Sequence, residues 1–179
     1  MNNSAIMLDI ESLSLQPNAQ ILSIAAIKFD PFEITVDFSN NPKLDILLDL
    51  EEQVNRHQDE NTILWWSKQD KKVQAKIFNE EDRLSINETL NQLTKFCWQM
   101  STIWCQGPTF DITVLNNLYA EYNRGIPWKY NAIRDARTVL SLVDIENPIV
   151  THDSIEDVIR QAKLVQLAIQ KLGIIKFYC

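Results

Sequence analysis

Glycine is scarce in this chain. Only 3 of its 179 residues are glycine, too few for a flexible linker between two domains. The chain has no internal repeat, no low-complexity tract and no long block of like charge. Its length suits one core, so a single domain spanning residues 1–179 is expected. No apolar run approaches the roughly 20 residues of a membrane span. The opening "MNNSAIMLDIE" lacks the basic start and long apolar stretch of a secretory signal. Cysteine is equally thin. Cys97, Cys105 and Cys179 are odd in number and widely spaced, with no zinc-site pattern. Reduced thiols, a cytoplasmic location and no membrane partner are therefore expected.

An excess of positive charge is also missing. The chain has 17 Lys+Arg against 24 Asp+Glu, a formal net charge of −7. That balance argues against a broad basic face for nucleic acid. A polyanion held locally by metal ions and a few Lys or Arg stays compatible with it.

What is present first is strand pattern. Residues 5–11, 21–30 and 33–38 read as consecutive strands, divided at Pro17-Asn18 and Asp30-Pro31. Residues 43–50 fit a short strand or a turn of helix. Helical patterns follow at 61–69, with Asn61 as N-cap, and at 70–79. Another spans 85–100, where Ser85 and Glu88 form a capping box. Residues 101–107 return to a strand. Residues 109–123, 134–143 and about 153–172 are helical, the last with an apolar stripe from Ile155 to Leu172. This order implies an α/β fold with a mixed β-sheet flanked by α-helices.

The first strand carries acids. Asp9 and Glu11, two apart, share one face with Cα atoms roughly 6.6 Å apart, while Ile6, Leu8 and Ile10 fill the other. Asp111 follows the Gly107-Pro108 break, in the first turn of a helix that Thr109 can cap. His152 and Asp157 are five apart. Inside one helix that spacing would separate them by about 140°. With Asp153 as N-cap and Glu156 as its reciprocal partner, His152 falls just outside the helix and Asp157 in its first turn, so both can face one cleft. Each signal has an ordinary reading: a solvated edge strand, a solvated acid favoured by the helix dipole, a cap.

Together they point to metal chemistry. Clustered carboxylates resist ionising unless cations neutralise them. Their oxygens suit Mg²⁺ or Mn²⁺, and two such ions about 3.5–4 Å apart can clamp a phosphodiester. A nearby His can accept the proton of the attacking water.

Asp9-x-Glu11, Phe110-Asp111 and His152-x₄-Asp157 resemble the DEDDh 3′–5′ exonucleases, in order and interval, over nearly the whole chain. The resemblance implies a ribonuclease H-like fold. It is closer to the small bacterial and phage exonuclease/exoribonuclease branch, through Thr62-x₂-Trp65-Trp66-x₂-Gln69, Arg134-Asp135-Ala136-Arg137-Thr138 and the His152-Asp153-Ser154-Ile155-x-Asp157 ending. One departure is Ser14, where many relatives have Gly. The resemblance implies two Mg²⁺ or Mn²⁺ ions. Asp9 would bridge them, Glu11 and Asp157 would complete one site and Asp111 the other, with His152 as general base. It also places Leu13 where an apolar side chain wedges the terminal base.

Phe110, Trp66, Arg134 and Arg137 are the remaining candidates for substrate contact. Trp65 and Trp66 point about 100° apart on a helix, so at most one faces any surface; core packing is the alternative for both. Arg134 and Arg137, three apart on one helical face, fit substrate phosphates or ion pairs with Asp135, Asp144 or the site acids. Trp104 fits the core and His57 a solvated surface. The leading expectation is a metal-dependent 3′–5′ exonuclease on single-stranded RNA or DNA with a free 3′ end, releasing nucleoside 5′-monophosphates. A catalytically idle nucleic-acid-binding scaffold and a small-oligonucleotide phosphodiesterase are the alternatives. RNA and DNA are not distinguished, and a homodimer is left open.

Overall fold

The computed structural model describes residues 5–146 and 151–177; Cys179 lies outside them. A five-stranded sheet runs through the molecule. Its strands are β1 (Ala5–Ser12), β2 (Ile21–Phe29), β3 (Lys43–Leu47), β4 (Thr102–Cys105) and β5 (Ile133–Asp135), in the order β3-β2-β1-β4-β5. β1 pairs antiparallel with β2, and β2 with β3. β4 pairs parallel with β1 and with β5. The mixed sheet matches the sequence expectation.

Six α-helices complete the described residues: α1 (Glu60–Trp66), α2 (Lys71–Ile77), α3 (Ile86–Phe96), α4 (Pro108–Glu121), α5 (Ala136–Leu140) and α6 (Ser154–Lys171). On one face of the sheet Ile6, Leu8 and Ile10 pack with Leu90 and Leu93 of α3 and Val114, Leu115 and Leu118 of α4. On the other, Ala5, Met7, Ala25 and Ile27 meet Val158, Ala162, Val165 and Ile169 of α6. The three-and-four spacing of those α6 residues supplies the stripe that covers the sheet. β2 is covered on both faces, which is why it reads as a nearly unbroken apolar run.

Several local expectations are corrected. Residues 33–38 are not a strand. No ladder partner reaches them; instead the Thr35 amide donates to Gln166 Oε1 at 3.0 Å. The buried Gln166 amide donates in turn to Asp30 O and Thr35 Oγ1. The third strand is β3, whose alternating exposure marks a sheet edge. Asp59, not Asn61, caps α1. Gly107, not Thr109, precedes α4, with Pro108 in the first turn. The 134–143 pattern splits into β5 and α5, so Arg134 and Arg137 do not share a helical face.

Candidate active site

β1 and β4 pair from Ala5–Thr102 only as far as Met7–Trp104. Beyond that point β1 loses its parallel neighbour, and the Ile10 amide is free to bond elsewhere. Asp111, in the first turn of α4, accepts it on Oδ1 at 3.3 Å. A carboxylate is thereby docked beside β1, and Asp111 is buried. The Gly107 backbone makes the turn that starts α4 at φ 125°, a region side-chain-bearing residues avoid. A Cβ added there would also meet Arg137 Nη1 at 3.1 Å.

Asp9 and Glu11 lie on the α6 side of β1, continuing the face of Ala5 and Met7. Asp157 meets them from the first turn of α6. Its carboxylate accepts the His152 amide at 2.9 Å and the Thr151 amide at 3.4 Å. Those bonds tie down a turn in which His152 takes φ 58°. Asp153 caps α6, accepting from the amides of Ile155 and Glu156, and Lys76 of α2 donates to it at 2.9 Å. The expected offset is therefore present: His152 outside the helix, Asp157 within it.

Asp9, Glu11, Asp111, His152 and Asp157 all line one cleft of about 910 Å³. Ligand atoms of Glu11, His152 and Asp157 lie within 4.8 Å of one another. Arg160 Nε donates to Asp157 Oδ1 at 3.1 Å. Gln161 Nε2 donates to Asp9 Oδ1 at 3.3 Å. Burial and the neighbouring Asp9, Asp157 and Asp111 charges push Glu11 up to about 9. Burial raises Asp9 to about 6, opposed by the Gln161 bond. Asp111 is also raised, by burial and then by Asp9. Acids this close cannot all ionise without added positive charge.

The substrate-contact candidates divide. Phe110 and Arg137 line the cleft. Trp66 reaches its edge but is 1% exposed, and its indole donates to Ser12 O at 3.0 Å. The exposed indole is Trp65, set against the His152 ring. Leu13 is buried with Leu22, Trp66 and Ile77 rather than at the cleft. The apolar side chain there is Leu15, 78% exposed. Ser14 sets this turn: its buried hydroxyl bonds His57 Nδ1 at 2.7 Å. Arg134 donates to Asn131 O and Ile133 O and lies over the Phe177 ring; it does not line the cleft. Trp104 is core and His57 is exposed, as expected. The sequence reading missed Arg160 and Gln161. Their spacing of three and four from Asp157 on one helix was the available signal.

Residues 4–169 match the Rv2179c-like 3′–5′ exoribonuclease domain. The chain belongs to that family. That family is one of 3′–5′ exonucleases. It is similar to the exodeoxyribonuclease of Enterobacteria phage T4, with 24% identity over 201 residues, 92% of this chain and 88% of the relative. Its fold resembles the nuclease domain of 3′hExo, a DEDDh family member bound to rAMP. The TM-score is 0.65 at 9% identity, over 99% of this chain and 96% of that one. It also resembles the zinc-bound E. coli ExoI–ssDNA complex. There the TM-score is 0.69 at 13% identity, over 96% of this chain but 42% of that one. No helix of the described residues is long and apolar enough to cross a membrane.

Proposed function

We propose that the cleft removes nucleoside 5′-monophosphates from the 3′ end of single-stranded RNA or DNA, using two divalent cations, Mg²⁺ or Mn²⁺. The observation that carries this reading is the convergence of four acids and one His, from β1, α4 and the start of α6, on one cleft. The residues fit such ions. Asp9, Glu11 and Asp111 are raised by burial and by the charge of neighbouring acids, as a set lacking its counter-charge would be. The buried Gln161 Oε1 has no partner among the described residues. Oxygen-rich donors are the chemistry hard divalent cations take. Asp9, Glu11, Asp111 and Asp157 would hold them. When bound, the ions would acidify the attacking water and neutralise charge on the leaving oxygen.

The chain's own groups do the rest. His152 takes the water's proton on a ring nitrogen, and Asp157 holds the backbone that aims that ring. The Ile10 amide keeps Asp111 turned toward β1. Leu15, Phe110 and Trp65 offer apolar surface for the terminal base, and Arg137 offers a cation for a phosphate. Support for a single-stranded substrate comes from the bound ssDNA and rAMP of the two structural relatives.

The test uses 5′-labelled RNA and DNA of matched sequence with Mg²⁺ or Mn²⁺, beside Asp9→Asn. Stepwise shortening from the 3′ end is expected, abolished in the variant. A circular single strand degraded as fast as the linear one, or an active Asp9→Asn, would overturn the reading.

A further inference from the structure

The end of the sheet away from the cleft carries an arrangement that hydrolysis does not use. Trp98, in the turn after α3, is 71% exposed. With Lys28, Lys95 and Arg124 it lines a second hollow, of about 730 Å³. The three cations come from three elements: Lys28 from β2, Lys95 from the last turn of α3, Arg124 from just past α4. Lys28 Nζ stands 5.0 Å from the centroid of the Phe96 ring. Arg124 donates to Asn87 O at 3.3 Å and Asn91 Oδ1 at 2.5 Å, which lays its guanidinium along α3. Among the described residues no salt bridge neutralises any of the three. Glu88, the acid beside Lys95, is engaged by Gln92 at 2.9 Å. In a chain of net charge −7, this is a local reversal of the field around a bare indole.

We propose that this hollow anchors the body of the single strand whose 3′ end occupies the catalytic cleft. Trp98 stacks on one base, and Lys28, Lys95 and Arg124 hold neighbouring phosphates. The inference rests on the single-stranded substrate proposed above. A stacking platform inside a basic groove is what a sequence-indifferent single-strand site needs. An acidic peptide would meet the cations and leave the indole unused.

The spacing suits a remote anchor. Lys28 pairs with Ile6 while Ser23 pairs with Glu11, so five strand residues, about 17 Å, separate the two levels. α4 makes the same traverse, from Asp111 in its first turn to Arg124 beyond its end. At the roughly 3.4 Å spacing of a stacked strand, at least about five nucleotides must lie between. A very short oligonucleotide fills the cleft alone; a longer one reaches both places.

The test measures fluorescence anisotropy of a labelled single strand of about twenty nucleotides, and of a trinucleotide, in EDTA. Chelation stops hydrolysis and leaves the cleft acids to repel phosphate, so long-strand binding reports the anchor. The proteins are wild type, Trp98→Ala and Lys95→Gln; both side chains are exposed, and circular dichroism checks their fold. Trp98→Ala should weaken the long strand about tenfold. Lys95→Gln should lower the slope of log affinity against log salt by about one. Trinucleotide hydrolysis in Mg²⁺ should be unchanged in both. Equal long-strand affinity and salt slope in all three proteins would overturn the anchor. So would AMP competing as well as the unlabelled strand, which marks a mononucleotide site, or a Glu-rich peptide competing better. Wild type that binds but never hydrolyses would remove the proposed function and leave the anchor standing.

Discussion

The Trp65 indole stands edge-on to the His152 imidazole, with ring centroids 4.7 Å apart and planes at 90°. Trp66 backs the pair, 5.0 Å from Trp65 and 6.4 Å from His152. The contact joins α1 to a turn in which His152 holds a left-handed φ, a conformation that persists only where its surroundings enforce it. Such edge contacts contribute about 0.5–1.5 kcal/mol. Trp65→Ala should therefore lower turnover by roughly two- to tenfold, with Trp65→Phe recovering most of it. Steady-state kinetics on a trinucleotide separate the terms. A rise in KM with kcat intact would mean that Trp65 serves the substrate alone and does not position His152.

His152→Ala should keep the acids and the fold and lose the proton acceptor. General-base assistance supplies about 10²–10⁴-fold, so kcat should fall by that factor with little change in substrate affinity. The deficit should narrow as pH rises, because hydroxide becomes abundant enough to replace the missing base. Parallel rate–pH curves of equal height would leave His152 as no more than a turn residue.

Glu11 links the site to stability. In the metal-free fold, burial and the neighbouring acids hold it up at about 9, against 4.5 for the ordinary group. The folded form thus binds more protons than the unfolded chain between those values, and stability falls as pH rises through that window. Glu11→Gln removes Glu11's share of that slope. In EDTA its melting temperature should pull further above wild type from about pH 5 to about pH 8, by calorimetry. A gap that stays constant with pH would show that Glu11 ionises freely.

Gln161 donates to the Asp9 carboxylate and holds its proton affinity down. Gln161→Leu should raise Asp9 above about 6 in the metal-free protein and move the acidic limb of Mn²⁺ binding to higher pH. Partners one step behind a ligand commonly change metal affinity about 10–100-fold. Calorimetric titration with Mn²⁺ should show a loss of that order, with Gln161→Glu behaving differently because it adds charge. An unchanged acidic limb would make Gln161 a packing residue.

The acids were legible because each depends on local periodicity. Period two places Asp9 and Glu11 together, the Gly107-Pro108 break starts the helix that carries Asp111, and the Asp153 cap sets His152 outside α6. Features decided by distant contacts were not legible. Residues 33–38 alternate like a strand, but a glutamine more than a hundred positions on takes the Thr35 amide. The 100° turn between Trp65 and Trp66 left open which would be buried; the Ser12 carbonyl settles it in favour of Trp66. Leu13 and Leu15 exchange places because Ser14 is fastened to His57, 43 residues away.

One carboxylate, Asp157, closes the turn that presents His152 and also faces Glu11. On the proposed mechanism, this ties full activity to the last stage of folding. Asp9, Glu11 and Asp111 emerge early in synthesis, but neither the base nor the last acid is in position until α6 docks on the sheet. A nascent or partly unfolded copy would consequently cut surrounding nucleic acid far more slowly than the folded enzyme.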